Sequence, residues 1–144
     1  MSLSAVHAKK ILARFSRQRI LVVGDLMLDR YVYGGVSRIS PEAPVPVVHV
    51  THEKSMPGGA SNVAWNVRSL GGRAAVSGIL GRDATGRELK RLLTRGGVLV
   101  SGALEIGNFR TTVKERVIAE RQQVVRVDRE NNFQLAGKTE EAFC

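Results

Sequence analysis

The chain has 144 residues, with 22 Lys+Arg against 13 Asp+Glu for a net charge of +9, 43% hydrophobic and only 5% aromatic residues. That composition suits one globular domain burying roughly two-thirds of its unfolded surface; it excludes a disordered chain, a membrane helix and, with Cys144 as the single cysteine, an internal disulfide or cysteine zinc site. The basic excess predicts an anionic partner, but not nucleic acid, because the cations are dispersed from Lys9 to Lys138 among few aromatic side chains. With no apolar signal segment in the first ten residues, a cytoplasmic protein is expected.

Ala5 to Arg17 carries Ile11, Leu12 and Phe15 among basic residues, the pattern of a short amphipathic helix. Arg19 to Asp25 is a continuous apolar run closed by Gly24 and Asp25, which predicts a parallel strand buried on both faces. Tyr31 to Met56 holds Pro41, Pro44, Pro46 and a valine-rich stretch, which predicts a small exposed sheet acting as a lid. Pro57-Gly58-Gly59 then opens a helix over 60–70, stopped by Gly71-Gly72. A strand over 74–80, a helix over 85–95 with Leu89, Leu92 and Leu93 on one face, and a strand over 98–103 follow. Segments 111–118 and 123–127 alternate as an antiparallel pair assigned to the lid layer. The predicted core therefore spans about 5–30 and 57–105, and the lid about 31–56 and 110–128. Thr139, Glu140 and Glu141 have the chemistry of a helix start, with three residues to follow, so an incomplete fold is expected.

Two segments carry possible chemistry. The Pro57 to Asn62 helix start offers backbone amides and the positive dipole end, suited to an anion or sugar hydroxyls; a tight turn serving packing alone explains it equally. Gly24-Asp25-Leu26-Met27-Leu28-Asp29-Arg30 leaves the first strand where open parallel sheets bind ligands, with two carboxylates four residues apart. These carboxylates suit vicinal hydroxyls; the structural alternative has Asp25 capping a turn and Asp29 paired with Arg30 or Arg38. Neither a Walker loop nor a G-x-G-x-x-G follows the first strand, and His7, His49 and His52 lack metal-ligand spacing.

The runs Val22 to Tyr31, Ser37 to Val48 and Pro57 to Ala64, with Gln122-Gln123 and Arg126-Val127-Asp128, resemble the N-terminal part of a D-glycero-β-D-manno-heptose-7-phosphate kinase domain, a branch of the ribokinase-like (PfkB) carbohydrate kinases. The resemblance implies an α/β fold: part of a ribokinase-like, Rossmann-type parallel sheet with helices on both faces and a small β lid, its C-terminal half missing. It implies ATP-dependent phosphorylation of the anomeric hydroxyl of a heptose 7-phosphate, on the route to ADP-heptose and lipopolysaccharide core. Asp29, Gly58, Gly59 and Asn62 occupy the positions that contact sugar in this family, while Met27 stands where some relatives carry a polar sugar-binding residue. Arg38, Lys114 and Arg116 are the candidates for the sugar phosphate. ATP and Mg²⁺ serve the complete family enzyme, whose catalytic Asp lies in a Gly-Ala-Gly-Asp motif absent from this sequence. The chain alone is therefore expected to bind neither ATP nor metal and to be inactive. A homodimer through the lid is the implied assembly; a sugar-phosphate-binding or dimerisation module without catalysis is the alternative.

Overall fold

The computed structural model describes residues 4–131. The expected helix start at Thr139 to Glu141, and Cys144, lie outside the described residues. The elements run α1 (Ala5–Leu12), a 3-10 turn (Phe15–Arg17), β1 (Arg19–Val23), β2 (Leu26–Ile39), β3 (Pro46–Gly58), α2 (Gly59–Ser69), β4 (Arg73–Gly81), α3 (Ala84–Arg95), β5 (Leu99–Ile106), β6 (Thr112–Ala119) and β7 (Gln122–Arg129). Among the described residues no helix is long and apolar enough to cross a membrane.

Two sheets organise the chain. One has three parallel strands in the order β1-β4-β5; the other has four in the order β3-β2-β6-β7, with β2 and β6 parallel and both flanking pairs antiparallel. The antiparallel pairing expected for 111–118 and 123–127 is thus present within the second sheet. In β4 the alternate residues Ala74, Val76 and Leu80 are buried, and they share a core with Ala64 of α2 and Leu89 and Leu93 of α3. Both helices advance along the sheet in the same direction, so right-handed crossovers lay them side by side on one face. Gly96 permits that approach: a Cβ there would run into the Trp65 ring of α2.

One expectation is corrected: β1 is not buried on both faces, since Leu21 and Val23 are 61% and 59% exposed on this edge strand. The strand β2 runs unbroken from Leu26 to Ile39 across the expected core–lid boundary at Arg30 and Tyr31, with Leu26 and Leu28 in the core and Val32 still buried beyond it.

Candidate functional site

The carboxyl ends of β1 and β4 meet the start of β2. Gly24 donates its amide to the Ser77 carbonyl at 3.1 Å, and the chain turns directly into β2. A cleft of about 320 Å³ opens there, lined among others by Gly24, Asp25, Met27, Gly78, Phe109 and Thr112. Along β2 the two-residue period sends Leu26 and Leu28 into the core, so Met27, Asp29, Tyr31 and Tyr33 share the opposite face. The parallel partner β6 sets Thr112, Lys114, Arg116 and Ile118 beside them, residue for residue. Asp29, Gly58, Gly59 and Asn62 do not line the cleft itself; Met27 stands between it and them.

Asp29 is paired, but with neither Arg30 nor Arg38. Its Oδ1 accepts from Arg116 Nη1 at 2.6 Å, across the β2–β6 register, with the two side chains 18% and 21% exposed. Arg116 also donates to the Lys114 carbonyl at 3.3 Å and lies 5.4 Å over the Tyr31 ring. The hydrogen bond to Asp29 holds the Arg116 guanidinium above its ordinary pKa, against the opposing pull of partial burial. Lys114 pairs with Asp128 at 3.6 Å, and Asp128 also accepts from Arg126 Nε at 2.9 Å. The row continues along β2 as Tyr31 stacked on Tyr33 and Tyr33 on His52.

The two glycines of the helix start have a packing reason. A Cβ on Gly58 would lie 2.7 Å from Asp29 Oδ2, and one on Gly59 would lie 2.7 Å from the Asp25 carbonyl and 2.8 Å from Met27 Cε. Gly59 also adopts φ +53°, a left-handed conformation that favours glycine. Ala60 donates its amide to that Asp25 carbonyl at 3.0 Å, tying α2 to the turn before β2. The glycines thus serve packing and, in doing so, bring the first turn of α2 against the Asp29 carboxylate. Asn62 sits exposed on that first turn and makes no side-chain hydrogen bond among the described residues.

Arg38 is not brought to this place. It lies nine residues beyond Asp29 at the far end of β2, roughly 30 Å away at strand rise, opposite Val47 and exposed. Arg30 points to the other face, where it pairs with Glu88 of α3 at 3.3 Å and Glu115 at 4.0 Å.

One functional feature escaped the sequence reading. Asp83 caps α3 by accepting from the Gly86 amide at 2.7 Å, and its carboxylate also takes the Thr111 amide at 2.8 Å and hydroxyl at 2.9 Å. Thr111, fully buried, accepts from the Gly81 amide at 2.9 Å. Burial would raise the Asp83 carboxyl, but the bonds from Gly86 and Thr111, with Arg87 nearby, lower it below the usual carboxylate range. This junction fixes the residue immediately before β6, and so the register that carries Lys114 and Arg116 to Asp29. An aspartate just before a helix was a legible cap signal; its second partner, 28 residues away, was not.

Among the described residues no group of three His, Cys, Asp or Glu side chains able to hold a metal occurs, and the helix start is closed in at Gly58 and Gly59 by Asp29, Asp25 and Met27.

Comparison with known proteins places this geometry. The chain is 50% identical over 121 residues to the bifunctional protein HldE of Gluconacetobacter diazotrophicus, covering 84% of this chain and 25% of that protein. It is 48% identical over 128 residues to the protein of the same name from Caulobacter sp. strain K31, covering 89% and 26%. The chain therefore spans about a quarter of the length of these curated relatives. In fold it is similar to a carbohydrate kinase from Agrobacterium tumefaciens, with TM-score 0.61, 22% identity and 78% and 35% of the two chains covered. It is also similar to the Arabidopsis thaliana ribokinase solved with ribose and ATP, with TM-score 0.60, 20% identity and 77% and 35% covered. Both likenesses show the ribokinase-like α/β fold. The pfkB carbohydrate kinase family model matches residues 17–143, nearly the whole sequence and both sheets, and the chain belongs to that family.

Proposed function

We propose that this chain forms the acceptor-sugar side of an ATP-dependent kinase that phosphorylates the anomeric hydroxyl of D-glycero-β-D-manno-heptose 7-phosphate, yielding the 1,7-bisphosphate for ADP-heptose and lipopolysaccharide core. The observation that carries this reading is Asp29: a partly buried carboxylate beside the cleft at the carboxyl ends of the parallel strands, pressed against Gly58 at the start of α2 and paired with Arg116. A carboxylate accepts bonds from vicinal hydroxyls, Asn62 can both donate and accept, and Lys114 and Arg116 offer charge to a phosphate. Arg38 has no part in that site within one chain. The Ser37 to Val48 run, which resembles the heptose branch of the family, supports a heptose substrate, and ATP dependence favours the cytoplasm.

The chain alone binds acceptor without turning it over, because the family's Gly-Ala-Gly-Asp motif is not in its sequence. Calorimetric titration with D-glycero-D-manno-heptose 7-phosphate tests the site: saturable binding lost in Asp29→Ala supports it, and binding untouched by that change contradicts it. ATP-dependent formation of the bisphosphate by the purified chain would contradict the division of labour.

A second reading has its own observation. The face of the four-stranded sheet opposite Asp29 carries Val32, Val48, Val50, Val117 and Val125 around a groove of about 580 Å³. Val50 and Val125 are each 46% exposed. A second copy of the chain seated there would cover this apolar face and give the lid-mediated homodimer. Sedimentation velocity tests it: a monomer at all concentrations contradicts the dimer and leaves the sugar-site reading standing.

A further inference from the structure

The inference rests on the sugar-phosphate reading above. Asp29 is the hydroxyl acceptor in that reading, yet its Oδ1 is already held by Arg116 at 2.6 Å and its Oδ2 faces Gly58 without room for a side chain. Arg116 is fixed in turn by the Lys114 carbonyl and the Tyr31 ring. Lys114 is turned toward Asp128, which Arg126 also binds. This cluster sets three cations, Arg116, Lys114 and Arg126, against two carboxylates, Asp29 and Asp128.

We infer that the Asp29–Arg116 pair is an exchange latch that makes the site selective for polyhydroxylated ligands carrying an anionic group. A neutral sugar takes the Asp29 oxygens only by leaving the Arg116 guanidinium, about one-fifth exposed, without its acceptor. Leaving one member of a partly buried ion pair without its partner costs more than losing a fully exposed contact. A phosphate on the same ligand replaces the carboxylate as acceptor, and the planar guanidinium fork suits its oxygens. Both partners are then exchanged together and neither charge is stranded. The surplus cation in the cluster favours a dianion over a neutral ligand. Arg116 thereby sets specificity through Asp29, and Tyr31 and the Lys114 carbonyl keep it at the exchange position.

The test is calorimetric titration of the 144-residue chain, and of its Arg116→Gln and Asp29→Asn variants, with the heptose 7-phosphate, the dephosphorylated heptose and inorganic phosphate. The unaltered chain is expected to prefer the phosphorylated sugar by about 10- to 100-fold. Arg116→Gln is expected to shrink that ratio partly by raising the affinity for free heptose. A mere contact to phosphate would weaken sugar-phosphate binding and leave free heptose unchanged, and that result overturns the latch while preserving the sugar-phosphate site. Asp29→Asn is expected to tighten inorganic phosphate by releasing Arg116; unchanged phosphate affinity overturns the latch even where Arg116→Gln does not fold. Binding of neither sugar by the unaltered chain overturns the site reading and the latch with it.

Discussion

The two sheets are held by different forces. The three-stranded parallel sheet has no ion pair between its strands among the described residues and depends on burial, with Val76, Leu80, Leu89 and Leu93 fully buried between it and its helices. The four-stranded sheet buries Leu26, Leu28, Val32, Val113 and Ala119 along β2 and β6, and its strands are in addition laced by charge: Asp29 to Arg116, Lys114 to Asp128, and Glu115 to both Arg30 and Arg129. Apolar burial supplies most folding free energy, whereas partly exposed pairs contribute modestly and mainly set geometry. The difference teaches a division of labour. Both sheets bury apolar side chains, and the four-stranded one also arranges charges that a ligand can rearrange.

The largest effect should come from the burial-driven layer. Leu89→Ala removes a fully buried side chain at the centre of the core and is expected to cost about 2–5 kcal/mol in urea denaturation. A smaller loss would break the comparison by showing that the α-helical face is loosely packed. Next stands the junction between the layers. Asp83→Ala removes a helix cap and two bonds to Thr111, and is expected to cost about 1–3 kcal/mol. Amide exchange should rise along β6 more than along β4, because the cut frees the start of β6.

The same carboxyl gives a pH signature. Its folded pKa is lowered, so its contribution is complete above the unfolded value of about 3.9 and is lost as pH falls below that, through the folded value. Asp83→Asn should therefore flatten acid denaturation in that window. An unchanged acid limb would assign the junction's stability to other groups.

Smaller effects sharpen the contrast. Ser61 is fully buried on the first turn of α2 with its hydroxyl unpartnered among the described residues, so Ser61→Ala should stabilise by about 1 kcal/mol in the same denaturation experiment. The Lys90–Glu105 pair at 2.5 Å is exposed at 37% and 36%, and Lys90→Met should change stability by no more than about 0.5 kcal/mol. A larger loss would mean that charge also supports the parallel layer.

What the sequence made legible follows the same division. The α2 and α3 helices, β4, and the β6–β7 pair are written in local periodicity and glycine stops, which a reader sees without knowing the fold. Asp29 was legible by its place after an apolar strand. Its partner was not, because the Asp29–Arg116 contact spans 87 residues and depends on a parallel pairing of β2 with β6 that no local pattern encodes. Arg38 illustrates the converse: a cation in a lid segment looks available to a phosphate until the strand is seen to run straight from Leu26 to Ile39 and carry it away. The exposure of β1 was equally hidden, since an apolar run reads the same whether one face or both are covered.

The central claim is that the first turn of α2 and the start of β2 form one sugar-phosphate site. Hydrogen–deuterium exchange of the 144-residue chain, with and without saturating D-glycero-D-manno-heptose 7-phosphate, tests it most directly. The account predicts slowed exchange at Met27 to Tyr31, at Gly59 to Asn62 and at Lys114 to Arg116, with the apolar valine face of the lid unchanged. Unaltered exchange at those three segments, or protection confined to the valine face, would contradict it.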